Sequence, residues 1–211
     1  MPVRSPQGAE TRLKIIQTAA DLFHKQGVGA TSPDEIIEAS ATGKGQFYHY
    51  FKSKEGLVHA VLQHYVTAIK TGSSPVNYEI QSWADLEGWF SAQVELQRRF
   101  RMTRGCPFGT IGGEVTENDE LIRQDLSLIF ELVRNQLAAF FIRGKAKGRI
   151  VESVNEGQLA DFCIAVAQGA MLVGKVKRDS QLVETTFREA IAHLKAYAVK
   201  SGSRKRKSLL S

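Results

Sequence analysis

The chain has few of the residues that build disulfide frameworks or metal sites. Among its 211 residues are two cysteines, Cys106 and Cys163, too few for a disulfide framework or a four-cysteine metal site. Sparse cysteine fits the reducing cytoplasm, where disulfides are rare. None of the five histidines stands four residues from another, and none flanks a cysteine, so no metal site is predicted. We expect no metal and no cofactor.

Long apolar runs are absent as well. The N-terminal residues lack the apolar core of a signal peptide. The longest uncharged stretch, residues 162–174, is shorter than the roughly 20 residues of a membrane-spanning helix and includes Gln168. We therefore expect a cytoplasmic protein without membrane contact. No nucleophile elbow and no carboxylate pair in a supporting context occurs, so we predict no catalytic residue and no enzyme activity.

The positive charge of the chain is not concentrated near its start. A net charge of +6 and a pI near 9.4 fit an anionic partner without requiring one. Within residues 1–52, however, six basic residues stand against five acidic ones. Affinity for an anion in this part of the chain would depend on where the cations lie and on dimerisation.

Residues 42–54 are the most informative stretch. Read as a helix, they place Phe47 and Phe51 one turn apart on one face. The other side carries polar groups and no aliphatic residue: Gly45, Gln46, Tyr48 and His49. Cations bracket it: Lys44, Lys52 and Lys54. This arrangement suits a phosphate backbone, and the alternative is an ordinary amphipathic helix with a solvated face.

A second short helix precedes this stretch. Ser32 and Glu35 have the spacing of a capping box, and Pro33 stands where a missing N–H costs nothing. That helix is predicted to end near Ser40. A tight turn follows, in which Thr42 is placed to cap the next helix. Two short helices joined by a tight turn are typical of a helix-turn-helix, whose second helix enters the major groove.

Residues 11–62 resemble the tetracycline-repressor-type (TetR) family of bacterial transcriptional regulators. Two departures occur: Ser40-Ala41-Thr42 stands where Ala-Gly-Val is usual, and Tyr50 where His is common. The matching residues follow in order without gaps: Thr11-Arg12, residues 19–23, Gly27, residues 30–32, Ile36, Lys44-Gly45, residues 48–51 and residues 53–57.

The resemblance implies an all-α fold with an N-terminal three-helix DNA-binding domain, residues 1–52. A C-terminal helical ligand-binding and dimerisation domain, residues 53–201, would follow. The basic run at residues 204–207 predicts that residues 202–211 form a basic disordered tail. Helical periodicity predicts about nine helices. Beyond the helix-turn-helix they span about residues 11–26, 53–69, 82–101, 119–147, 155–177 and 180–201, after a flexible arm at residues 1–9.

Two stripes, each a row of core-type residues on one of the last two predicted helices, have more than one interpretation. Part of the first stripe also resembles a nucleotide-binding motif. Residues 169–176 nearly spell a phosphate-binding P-loop, but Val176 replaces the required hydroxyl and the segment has a helical pattern. Packing is the better interpretation, either in the chain's own core or between two chains. The resemblance favours a dimeric four-helix bundle. The stripes are Ala160, Cys163, Ala167, Ala170 and Gly174, and Val183, Phe187, Ala190, Leu194 and Tyr197.

Two functions remain open at this stage. The first is a repressor that binds duplex DNA as a homodimer and is released by a largely apolar small molecule. The second is a helical adaptor or enzyme that uses the helix-turn-helix for protein contacts. In the first, Gln46 would read bases, Gly45 would permit close approach, and Lys44 would contact guanine or phosphate. Phosphate contacts would come from Thr31, Ser32, Tyr48, His49 and Lys54.

The candidate effector pocket consists of aromatic residues in the C-terminal domain, each of which is also a plausible core residue. Residues 105–113 contain four glycines and a proline, so we expect a break near the pocket mouth, outside the packed bundle. Cys106 within it is either an exposed redox thiol or a small buried hydrophobe. The pocket candidates are Trp89, Phe90, Phe100, Phe108, Phe130 and Phe162.

Overall fold

The computed structural model describes residues 6–199. Over that range the chain forms nine α-helices and no strand, which confirms the all-α prediction. One isolated antiparallel bridge joins Ile150 to Ala198. The predicted tail lies outside the described residues. The helices are α1 (Pro6–Gln26), α2 (Pro33–Ala39), α3 (Lys44–Phe51), α4 (Lys54–Thr71), α5 (Trp83–Arg99), α6 (Pro107–Gly112), α7 (Glu120–Ala146), α8 (Glu156–Lys177) and α9 (Ser180–Lys195).

Several helix ends differ from the sequence expectations. α1 begins at Pro6, so residues 6–9 are helical rather than a flexible arm. Proline is tolerated there because the first N–H groups of a helix have no partner within the helix. α9 ends at Lys195 instead of residue 201. Beyond it the chain pairs with the segment after α7, where Val199 N donates to Arg149 O at 2.8 Å.

The glycine-rich break is not outside the bundle as expected. Residues 107–112 form the short helix α6, and its Phe108 and Ile111 are buried in the common core. The adjoining turn places Met102 in the core as well. The segment therefore packs against the bundle and touches α1 and α7.

α4 joins the two halves of the molecule. It packs on α1 and α3 at one end and along α7 at the other. Ser53 caps it as predicted, its Oγ accepting from Gly56 N at 3.0 Å. On α7, the buried Asp125 accepts from Gln63 Nε2 at 2.7 Å and contacts His59 Nδ1 at 2.6 Å. These bonds fix α4 to the C-terminal bundle.

The small-residue stripe of α8 is part of the chain's own core. All five of its residues are buried in the single chain, Ala167 to 1% exposure. A Cβ at Gly174 would overlap Val183 of α9, so the missing side chain lets the two helices approach. Val183, Phe187, Ala190 and Leu194 on α9 are buried too. The prediction that the dimer interface is formed by these nine buried residues is therefore wrong; Tyr197, the last residue of the α9 stripe, is partly buried.

A different face of α8 is exposed. We call Ala165, Gly169, Leu172, Val173 and Val176 the α8 outer face; Leu172 and Val176 are 62% and 76% exposed. By length and composition α8 is the one helix of residues 6–199 suited to a membrane span. Of its 18-residue apolar stretch, 39% is buried in the chain. Its burial against α7 and α9 accounts for the apolar inner side.

Candidate nucleic-acid interface and effector cavity

α3 separates its two faces as the sequence predicts. Phe47 is fully buried and Phe51 nearly so, in one core with Ile15, Phe23 and Ile36. Packing of large rings on this inner side fixes how the helix is turned. The outer side is exposed at all four predicted positions: Gly45, Gln46, Tyr48 and His49.

The turn before α3 differs in detail from the expectation. Gly43, not Thr42, is the N-cap, and the Thr42 hydroxyl lies 2.8 Å from that of Ser40. Ala41 has φ 49°, a left-handed conformation that costs energy for a residue with a Cβ. Gln46 supplies the cap instead, because its Oε1 accepts from Gly43 N at 3.0 Å. Its Nε2 donates to no group in the described part of the chain.

The predicted phosphate-contact residues fall into two groups. The Thr31 hydroxyl is buried and donates to Gly27 O at 2.7 Å, so it is not available to DNA. Ser32 is exposed, and its Oγ accepts from Glu35 N at 3.1 Å, which leaves the hydroxyl proton free to donate. Glu35 does not complete the capping box; its carboxylate accepts from Gln26 Nε2 at 2.9 Å.

The two cations predicted to contact DNA, Lys44 and Lys54, both have partners within the chain. Lys44 is exposed and pairs with Asp34 at 3.3 Å. Exposed pairs of this kind contribute little stability, so Lys44 can exchange its partner for a phosphate at small cost. Lys54, at the start of α4, donates from its Nζ to Gly29 O at 3.4 Å.

Hydrogen bonds connect residues 104–114, which we call the α6 segment, to α1 and to the turn after α1. We call this set of contacts the joint. The carboxylate of Glu114 accepts from Val28 N at 3.0 Å and from Gly29 N at 2.5 Å. Gly27, at φ 89°, ends α1 beside it, and a Cβ there would overlap the carboxylate. The turn after α1 is thus bonded directly to the segment after α6.

A buried histidine forms the second part of this joint. His24 Nε2 donates to Gly105 O at 2.7 Å, and Arg104 pairs with Asp21 at 2.5 Å. Burial lowers the pKa of His24, so the ring is neutral at pH 7 and carries its proton on Nε2. Sequence spacing gave no signal for these contacts, because the partners are about 80 residues apart.

Three of the six predicted pocket aromatics line one small cavity of about 20 Å³ between α5, α6, α7 and α8. They are Trp89, Phe108 and Phe130; Tyr78, Gln93, Cys106 and Gln168 also line it. The other three lie elsewhere. Phe90 packs on Phe187, Phe100 on His24 and Arg104, and Phe162 on His193.

A cleft of about 700 Å³ adjoins the small cavity, between the end of α1, α6 and α8. The two share Cys106, Phe108, Phe130 and Gln168. Gly105 and Gly109 also line the cleft, so the glycine-rich segment contributes to the walls of both. Cys106 itself is buried, and burial raises the pKa of its thiol; the structure favours the small buried hydrophobe over the exposed redox thiol.

No group of three or more potential metal ligands comes together within residues 6–199. Residues 169–176, the near P-loop, lie inside α8, and the strand that such a loop follows is not there. Their glycine at position 174 serves helix packing, as the sequence favoured.

Comparison with known proteins gives two family matches. Residues 15–61 match the model "Bacterial regulatory proteins, tetR family", and residues 84–191 match "Tetracyclin repressor-like, C-terminal domain". The second alone covers about half of the chain. The boundary between the matches falls at α4 and the loop after it.

Individual relatives match over most of their length. The HTH-type transcriptional repressor DhaR of Mycobacterium sp. is 28% identical over 172 residues, 81% of this chain and 85% of that protein. An HTH-type transcriptional regulator in the lacX 3' region of Lactococcus lactis is 28% identical over 84% of this chain and 89% of its own. The crystal structure of a regulatory protein TetR from Rhodobacter sphaeroides superposes with a TM-score of 0.76 at 22% identity, covering 90% of this chain and 99% of that one.

Proposed function

Because the chain belongs to the TetR family of bacterial regulatory proteins and is a DNA-binding transcriptional regulator, we propose that it represses transcription from a near-palindromic operator. A small molecule bound among the C-terminal helices releases it. The observation that carries the proposal is the outward polar face of α3, held in place by Phe47 and Phe51. The alternative, a helical adaptor or enzyme that uses the same face for protein contacts, predicts no affinity for duplex DNA.

On the operator, α3 lies in the major groove and Gln46 reads bases. Gly45 allows close approach, since nothing lies within 4 Å of its Cβ position. Lys44 contacts guanine or phosphate. The phosphate contacts come from Ser32, Tyr48, His49 and Lys54, all of which are at least partly exposed.

TetR-family regulators act as dimers, and for this chain we assign the interface to the α8 outer face. Exposed apolar residues in a contiguous set mark interaction surfaces, and Gly169 allows another helix to approach closely.

We assign residues 1–52 to the DNA-binding domain and residues 53–201 to the ligand-binding and dimerisation domain. The protein acts in the cytoplasm. The boundary lies where Lys52 ends α3 at φ 62° and Ser53 caps α4.

Release by the effector runs through the α6 segment. This segment lines the cavity on one side, and on the other it leads to Glu114, which holds the amides of Val28 and Gly29. A molecule that favours a displaced α6 therefore favours a different placement of the two recognition helices, which lowers affinity for the operator.

The test begins with the purified protein and a random duplex library. Sequencing of the retained fragments should reveal two half-sites with centres about one helical turn apart. Binding to the selected duplex should weaken linearly in a plot of log affinity against log salt, and Lys54→Ala should reduce the slope by roughly 1 for each phosphate that its side chain neutralises. No enriched sequence and no salt-dependent binding would support the adaptor or enzyme instead.

A further inference from the structure

We propose that the small cavity lined by Trp89, Phe108 and Phe130 binds an uncharged molecule with a flat apolar body and one hydrogen-bond acceptor, which accepts from Trp89 Nε1. The inference rests on the proposed function, because it names the chemical class of the effector. Ketone, ester and amide oxygens on an aromatic body belong to this class.

The first argument is an unused donor. Trp89 is 3% exposed and lines the cavity, and its Nε1 has no acceptor among the described residues. An indole N–H can only donate, and a buried one normally finds a partner. A donor left unpaired costs free energy in the unliganded protein. An acceptor in the cavity recovers that cost on binding.

The second argument is the absence of charge. The residues that line the cavity include no Asp, Glu, Lys or Arg. Burial raises the pKa of both Cys106 and Tyr78, so the thiol and the phenol remain neutral. A carboxylate or ammonium group would lose its hydration without gaining a counter-charge, which is far more costly than burying a neutral acceptor.

The third argument concerns shape. Four of the ten lining residues are aromatic, among them Trp89, Phe108 and Phe130, and their rings favour a flat apolar body. The cavity of about 20 Å³ admits little more than one water, so a larger molecule must push a wall outward. We expect α6 to be the wall that moves, because with six residues it is the shortest of the helices in residues 6–199. At present α6 packs closely on α8: a Cβ added to Gly109 would lie only 2.5 Å from Oε1 of Gln168.

The experiment uses matched probes that differ in one group. They are acetophenone, ethylbenzene and benzoate, and the same three groups on naphthalene to allow for cavity size. The full-length protein, labelled with ¹⁵N in its two tryptophans, is titrated and the indole N–H signals are followed by NMR. We expect the ketone of at least one size to bind about tenfold more tightly than its hydrocarbon and its carboxylate. The Trp89 signal should move to lower field.

Two variants separate the donor from general packing. Trp89→Phe keeps an aromatic ring and removes the N–H, so the advantage of the ketone over the hydrocarbon should disappear. Trp83→Phe is the matched control: Trp83 is half-buried against Phe140, outside the cavity, and the advantage should persist. If Trp89→Phe fails to fold, the indole signal of the unaltered protein still decides the question.

Three results would overturn the inference: equal binding of ketone and hydrocarbon, a ketone advantage that survives in Trp89→Phe, or no saturable binding by either ketone. The last result would leave a single water as the partner of Trp89. Operator binding is measured in parallel. A ketone that binds as expected but does not release DNA contradicts only the proposed release. A ketone that binds to a protein without DNA affinity contradicts the proposed function alone.

Discussion

Ala41 lies between α2 and α3 with φ 49°, a conformation that costs a residue with a Cβ roughly 1–2 kcal/mol. Glycine, common at this position in the TetR family, avoids that cost but loses more freedom on folding. We predict that Ala41→Gly raises the free energy of unfolding by about 0.5–1 kcal/mol, measured by urea denaturation. Ala39→Gly, at the last residue of α2, is the control and should lower stability by less than about 1 kcal/mol. A decrease in stability in Ala41→Gly would contradict the prediction.

Gln46 has two roles that substitution can separate. Its Oε1 caps α3 through Gly43 N, so Nε2 is left to donate to a base acceptor, such as guanine O6 or N7 or thymine O4. A glutamate side chain at this position would keep the capping oxygen and lack the donor. We predict that Gln46→Glu retains the stability of the protein, whereas Gln46→Ala removes the cap, at a cost of about 1 kcal/mol.

Both Gln46 variants should lose roughly 1–3 kcal/mol of discrimination at one base pair per half-site. The measurement is a binding series over single-base operator variants. Tyr48→Phe is the control, because removal of a hydroxyl that contacts phosphate should weaken binding to all sequences by similar factors. If Tyr48→Phe alters base preference and Gln46→Ala does not, α3 enters the groove with a different face.

At the scale of helices, local patterns predicted most of what the structure contains. The inner and outer faces of α3, the caps at Ser32 and Ser53 and the all-helical content follow from periodicity and capping chemistry within a few residues. The cap at Gly43 did not follow, because Thr42 has the better intrinsic preference and only the three-dimensional turn shows that its hydroxyl meets Ser40. Contacts such as Glu114 with Val28 join distant segments and leave no spacing signal.

The joint at Glu114 yields a prediction at this scale. Its carboxylate is the acceptor for the amides of Val28 and Gly29, so Glu114→Ala should speed hydrogen exchange at both amides, by about fivefold for a bond contributing roughly 1 kcal/mol. Exchange is measured by NMR in the absence of DNA. Glu117→Ala, an exposed glutamate on the same loop, is the control and should leave both amides unchanged. Unaltered exchange in Glu114→Ala would mean that the turn is held by other contacts.

At the scale of the whole molecule, periodicity identified the inward stripes of α8 and α9 but not what they face. A small-residue stripe allows any helix to approach closely, and here the neighbour of Gly174 is α9 of the same chain. Similarly, the aromatic residues divide between one cavity and three other contacts, because side chains that share a class do not share a direction. Tertiary packing decides both outcomes, and one sequence alone does not encode it in any short pattern.

The proposed interface on the α8 outer face gives the last prediction. Ala167 is 1% exposed within one chain, so an arginine there would disrupt the fold and report nothing on dimerisation. Leu172 is 62% exposed on the α8 outer face. Leu172→Arg should keep the helical circular dichroism of the parent, give monomers by light scattering and lose most affinity for a two-half-site operator, because each half-site alone is held by one α3. Ile142→Arg is the control: Ile142 is 53% exposed on α7, and its substitution should leave the dimer intact. If Ile142→Arg produces monomers and Leu172→Arg does not, the interface lies on α7, and the α8 outer face has another partner.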